Sequence, residues 1–123
     1  MESAKPEEIR SFLLHIKILL ESEDNYVFWT DLPKNKNTLL KLGFTPEQAL
    51  QEIIDLTYKD YCSGPEPNRS KDGRHEGNVW KFGKKVCDLE VYIKFHLISH
   101  KRFSKVVIIS FHEPEFPLTY PYK

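Results

Sequence analysis

The chain changes its apolar period once. From residue 6 to about residue 57 apolar side chains recur every three or four positions, and from residue 79 onward they alternate. The first period belongs to helices that bury one stripe, the second to strands that bury one face. Residues 6–21, PEEIRSFLLHIKILLE, place Ile9, Phe12, Leu13, Ile16, Leu19 and Leu20 on one helical side. Pro6 suits the first turn, where its missing N–H costs nothing, and Glu7 and Glu8 suit the positive end of the helix dipole. NYVFWT, at 25–30, is aromatic and β-branched and reads as a short strand or an extended lead-in. Residues 35–42 predict a short helix closed by Gly43. A third helix, over about 46–57, has the clearest start signal: Thr45 as N-cap, Pro46 at the first helical position and Gln48 completing a capping box. Phe44 and Ala49 are spaced for a hydrophobic staple, and Leu50, Ile53, Ile54 and Leu56 form the apolar side.

Residues 61–78, YCSGPEPNRSKDGRHEGN, are polar and rich in Gly and Pro, and predict a long loop that contains His75. Three strands follow, at 79–83, 88–98 and 105–112, with short turns near Lys84–Lys85 and His100–Ser104. The tail EPEFPLTYPYK has three prolines and does not continue a central strand. Helices first and an antiparallel meander afterwards predict an α+β fold, with the helices on one face of a small C-terminal sheet and the other face open.

Composition narrows this little. A length of 123 residues suits one domain spanning the chain, and 40% hydrophobic and 29% charged residues are ordinary for a globular protein. Lys+Arg and Asp+Glu are equal at 18, which argues against a strongly basic nucleic-acid binder but leaves room for a local patch. That patch is suggested by Lys81, Lys84, Lys85, Lys94, Lys101, Arg102 and Lys105, all in the C-terminal half. Cys62 and Cys87 are too few and too far apart for a disulfide framework or a zinc site, and read as free thiols. No apolar run is long enough to span a membrane, and the polar N-terminus is unlike a signal peptide, so the expected location is the cytoplasm.

The candidate chemistry lies in EVYIKFHL, residues 90–97. Val91, Ile93, Phe95 and Leu97 make a core row; Tyr92, Lys94 and His96 face the other way. In the strand before, Trp80 and Phe82 share a face and Lys81 lies opposite; in the strand after, Val107, Ile109 and Phe111 oppose Val106, Ile108, Ser110 and His112. Cross-strand neighbours sit about 4.5–5.5 Å apart, so Lys81, Tyr92, Lys94 and His112 can converge. Such a cluster supports RNA cleavage without a metal or cofactor. A base takes the ribose 2′-hydroxyl proton, an acid protonates the leaving oxygen, and cations stabilise the charged phosphorus centre. Three other readings stand beside it. One is a merely solvated sheet face. A second is a non-enzymatic interaction domain anchored by Phe116, Leu118, Tyr120 and Tyr122. The third is a metal-dependent nuclease using His96, His112 and Glu115. No phosphate-binding glycine loop or nucleophile elbow is present.

The ordered set LGFTPEQALQEIIDLTYKDYCSGPEPN, VWKFGKKV, EVYIKFHL and VVIISFHEPEFPLTYPY resembles the MqsR-family toxins of bacterial type II toxin–antitoxin systems, over about residues 35–122. The resemblance implies a RelE-like fold, a metal-independent endoribonuclease acting on messenger RNA, on or off the ribosome, and a cognate antitoxin protein as partner. It places the family's strand tyrosine and lysine on Tyr92 and Lys94, its tryptophan on Trp80 and its neighbouring polar residue on Lys81. The basic residue after the final Ser-Phe pair becomes His112. The family's D-F-Y-K lysine has no counterpart, since this chain reads Asp60, Tyr61, Cys62, Ser63. With that resemblance, Tyr92 is expected to orient or stack the substrate, Lys94 to neutralise phosphate and His112 to transfer protons. Lys81, Lys84, Lys85 and Trp80 are expected to contact RNA.

Overall fold

The computed structural model describes residues 2–69, 75–99 and 101–123. Three helices, α1 (Pro6–Leu19), α2 (Pro33–Leu42) and α3 (Pro46–Ile54), precede most of a five-stranded sheet. Its strands are β1 (Tyr26–Phe28), β2 (Tyr61–Arg69), β3 (His75–Val86), β4 (Leu89–Ser99) and β5 (Ser104–His112), in the spatial order β1-β5-β4-β3-β2. The fold is α+β, as the sequence predicts, but the sheet is mixed: β1 runs parallel to β5, and the other pairings are antiparallel.

The helices form where local signals and the apolar stripe agree. In α1 Ile9, Phe12, Leu13, Ile16 and Leu19 are buried, and the Glu8 carboxylate accepts from the Lys5 N–H at 3.1 Å in front of the first turn. Phe12 carries the helix onto the sheet: its ring stacks on Trp80 at 4.2 Å and meets Phe82 and Phe95 at 5.9 and 5.8 Å. Each such ring pair adds about 0.5–1.5 kcal/mol to the burial itself. In α3 the Thr45 Oγ1 accepts from the Gln48 N–H at 3.2 Å and Gln48 Oε1 accepts from the Thr45 N–H at 2.8 Å, the full capping box. Gly43 ends α2 at φ 71°, the left-handed conformation that closes a helix without a Cβ penalty. Boundaries differ modestly: α2 starts two residues early, at Pro33, and α3 ends at Ile54, followed by a 3-10 turn at Tyr58–Asp60.

Two features depart from the sequence reading. Much of the expected 61–78 loop is strand. Gly64, Pro65 and Pro67 fit because β2 is an edge strand with three register shifts, where a missing N–H breaks no central ladder. His75 opens β3, and its side chain lies outside the described residues, as does His100 of the expected β4–β5 turn. The β3–β4 turn falls at Cys87–Asp88, both at positive φ, rather than at Lys84–Lys85.

The second departure is a bulge in β5. Lys94 pairs with Ser110 but Phe95 pairs with Ile108, so Ile109 is an extra residue. Val106, Ile108 and Phe111 therefore all reach the core, and simple alternation fails there. Asn35, from α2, holds this bulge. Its Nδ2 donates to the Trp29 and Ile109 carbonyls at 2.8 and 2.9 Å, and its Oδ1 accepts from the Phe111 N–H at 2.9 Å. A fully buried asparagine, 0% exposed, thus has three partners and ties β1, α2 and β5 together.

Candidate functional site

The sheet face turned away from α1 carries the site. Strand pairing places Ser63, Lys81, Lys94 and Ser110 in one row across β2, β3, β4 and β5. In the next row Tyr92 pairs with Gly83 on one side and His112 on the other. The bulge at Ile109 is what brings Ser110 and His112 onto this face while Ile108 and Phe111 stay in the core. The C-terminal tail then folds back over the sheet. Gly83 has no room for a side chain: a Cβ there would lie 2.5 Å from Leu118 Cδ1 and 2.6 Å from the Tyr120 hydroxyl. Tyr120 donates to Glu90 at 3.0 Å, and the Tyr122 hydroxyl donates to the Ala4 carbonyl. Glu113 and Glu115 pair with Lys41 and Lys34 of α2.

Sheet floor and tail wall enclose an open cleft of about 430 Å³. Lys81, Tyr92, Lys94 and His112 all line it, with Cys62, Ser63 and Ser110; the tail side is formed by residues 114–119, apolar except for Glu115 and Thr119. Of the seven expected site residues, four converge and three do not. Trp80 is 7% exposed and stacks on Phe12 in the core, because it shares the inner parity with Phe82. Lys84 has the same parity and binds Glu52 of α3, at 3.0 Å to its carboxylate and 3.2 Å to its carbonyl. Lys85 is exposed opposite Glu90 and does not line the cleft. Lys101 and Arg102 lie past the far end of β4, so the C-terminal basic residues form no single patch.

The electrostatics of the cleft are unusual for a sheet surface. Lys81 and Lys94 face each other directly. Like charges in that position repel, and one carboxylate, Glu66, approaches Lys81, at 3.4 Å. Burial, and then the charge of Lys81, lower the Lys94 pKa, against a smaller opposing effect of Glu66. Burial pushes the Tyr92 phenol up to about 12, with Cys62 and Glu66 adding to the shift, so Tyr92 remains a hydrogen-bond donor. The Cys62 thiol is likewise pushed up to about 12 by burial, then by Glu90 and Asp60, and is not a thiolate nucleophile at neutral pH. His112 packs edge-on to Tyr92, with ring centroids 5.6 Å apart. Its Nδ1 lies 2.8 Å from the Glu113 carbonyl oxygen, which can only accept, so Nδ1 carries the proton. In the neutral ring Nε2 then holds the lone pair, the arrangement of a base.

Among the described residues no group of three His, Cys, Asp or Glu side chains comes together to hold a metal, so His96, His112 and Glu115 do not form the alternative metal set. The tail aromatics expected as protein anchors are mostly turned inward: Tyr122 packs beside Tyr58 and Tyr61, and Leu118 and Tyr120 cover Gly83. Ser110 and Gly83 are parts of the site that residue type alone did not reveal; only register exposes them. No helix among the described residues is long and apolar enough to cross a membrane. No protein-family profile, curated protein or solved structure matches the chain.

Proposed function

We propose that the protein is a metal-independent endoribonuclease, the toxin of a toxin–antitoxin pair, that cleaves messenger RNA through 2′-hydroxyl attack on the adjacent phosphate. The observation that carries the reading is the pairing of two like-charged ammonium groups, Lys81 and Lys94, beside the Tyr92–His112 pair in one open cleft. Two facing lysines make a site for an anion, since of the carboxylates at the cleft Glu66 approaches only Lys81 and Glu115 is paired with Lys34 of α2. A phosphodiester held between them is within the reach of groups that can move protons. The resemblance to MqsR-family toxins supports RNA as the substrate and an antitoxin protein as the partner.

In this mechanism His112 Nε2 takes the proton of the 2′-hydroxyl, and the oxygen forms a bond to phosphorus. The bond from phosphorus to the 5′-oxygen breaks, and that oxygen takes a proton from Lys94. A lysine whose pKa is lowered is the better acid. Lys81 and the Tyr92 hydroxyl stabilise the negative charge on the phosphoryl oxygens. The products are a 2′,3′-cyclic phosphate and a 5′-hydroxyl. Ser63, at the position of the missing family lysine, supplies a neutral donor at the edge of the same row.

The test is incubation of the purified protein with single-stranded RNA in EDTA, with end-group analysis of the products. Cyclic phosphate ends are expected, no cleavage of a strand lacking 2′-hydroxyls, and a loss of about 10²–10⁴-fold in His112→Ala and Lys94→Ala. Intact RNA with wild type, or a double variant as fast as wild type, sinks the reading.

A further inference from the structure

The two sides of the cleft differ in chemistry. The floor presents Lys81 and Lys94, whereas the tail side is mostly apolar, with Pro114, Phe116, Pro117 and Leu118 beside Glu115 and Thr119. Phe116 is 74% exposed, the most exposed large apolar side chain among the described residues. Core packing does not explain this, since its neighbours do the work of docking the tail. Glu115 pairs with Lys34, and Leu118 and Tyr120 press on Gly83. Pro114 and Pro117, two residues before and one after, fix their own φ and stiffen the segment. The ring is therefore presented by a braced backbone, at the edge of a cationic cleft, with most of its surface in water.

We propose that Phe116 is a stacking platform for an unpaired nucleobase, and that the substrate of the cleft is a single-stranded RNA segment whose phosphate lies between Lys81 and Lys94. This rests on the ribonuclease reading and adds to it where the base goes and why the strand must be single. A base exposes its flat face to a protein ring only when it is unstacked, which a duplex prevents. The cleft, about 430 Å³, is in the range of single-ligand pockets and suits one nucleotide rather than a helix. Stacking tolerates any base, so Phe116 contributes affinity more than sequence choice.

The test uses two five-unit probes: a 2′-O-methyl oligoadenylate, which cannot be cleaved, and a phosphodiester pentamer of the same length without bases. Binding is measured by calorimetry for wild type, Phe116→Ala and Phe116→Trp, with thermal melts to confirm that each variant folds. Phe116→Ala should weaken oligoadenylate binding about tenfold or more, and Phe116→Trp should restore it. The pentamer without bases should bind all three proteins alike. A double-stranded probe should bind more weakly than the single strand. Equal oligoadenylate binding by wild type and Phe116→Ala overturns the inference. So does an equal loss for both probes, which would mean a displaced tail rather than lost stacking. Cleavage of ordinary RNA by wild type is scored in parallel. If wild type cleaves and Phe116→Ala changes nothing, only the stacking role fails; if wild type neither binds nor cleaves, the ribonuclease reading fails with it.

Discussion

The facing lysines make a prediction about stability that does not depend on knowing the substrate. Lys94→Met keeps a long apolar stem and removes one charge of the Lys81–Lys94 pair. Two unit charges about 5 Å apart interact by ~0.8 kcal/mol in a water-like medium, and by more where solvent is partly excluded. Glu66, at 3.4 Å from Lys81, offsets some of that repulsion, and long side chains splay. A net gain of about 1 kcal/mol is expected for the variant, or about 3–5 °C in melting temperature for a domain of this size. The assay is thermal or urea unfolding at low salt in a phosphate-free buffer. Raising the salt to about 1 M should remove most of the difference by screening. Phosphate should stabilise wild type and leave the variant nearly unchanged, because only wild type holds both cations. The pH dependence has a defined sign. Burial and Lys81 lower the Lys94 pKa below its ordinary 10.5, so the unfolded chain keeps that proton to higher pH than the folded chain does. The penalty is full below the folded pKa and fades as pH rises through it toward 10.5, and the advantage of methionine shrinks in that window. A variant no more stable than wild type at low salt would refute the repulsion. So would an advantage that persists unchanged at 1 M salt, since better packing of methionine would then explain it. A stabilised, inactive variant would fit the general trade between stability and function at binding sites.

Three further outcomes follow from the same geometry. Asn35→Ala leaves the Phe111 N–H and two carbonyls without their buried partner and should cost about 2–4 kcal/mol by urea unfolding, far more than an exposed Asn37→Ala control. Gly83→Val should displace Leu118 and Tyr120, raising proteolysis of the tail and weakening the RNA binding proposed for the cleft while leaving most of the melting temperature intact, because the colliding atoms are side-chain ends. With the Cys62 pKa pushed up to about 12 from 9.0, the folded chain keeps a proton that the unfolded chain loses, so stability falls as pH rises above 9. Cys62→Ala should flatten that fall in melts at pH 8, 9 and 10, and an unchanged slope would remove Cys62 as its source.

What could be read from the sequence depended on whether a signal was local. The α1 stripe and the Thr45–Gln48 cap were legible because each is complete within a few residues. The outward row of β4 was legible because Val91, Ile93 and Phe95 alternate strictly with Tyr92 and Lys94. In VVIISFH both parities are apolar until Ser110, so period alone cannot locate the bulge at Ile109; its clamp, Asn35, lies 74 residues away from that carbonyl. The parallel pairing of β1 with β5 is equally remote in sequence. Gly64, Pro65 and Pro67 read as loop because the edge position that tolerates them is a property of the sheet, not of the segment. Trp80 was expected in the site through the family resemblance and Lys84 through its charge, but the parity they share with Phe82, already readable in the alternation that sets Trp80 opposite Lys81, sends them toward the helices.

The two edges of the sheet also bear on how the protein behaves at high concentration. With no formal net charge, molecules lack the mutual repulsion that keeps many proteins apart. Open strand edges are then the main route to chain-to-chain pairing and aggregation. One edge, β1, is three residues long, and the other, β2, has shifted register and prolines that cannot donate. Neither offers a neighbouring molecule a long, regular template. The irregularity of β2 thus protects solubility where charge does not, and smoothing it with β-branched residues would be expected to give fibres or precipitate from a chain that is no less stable.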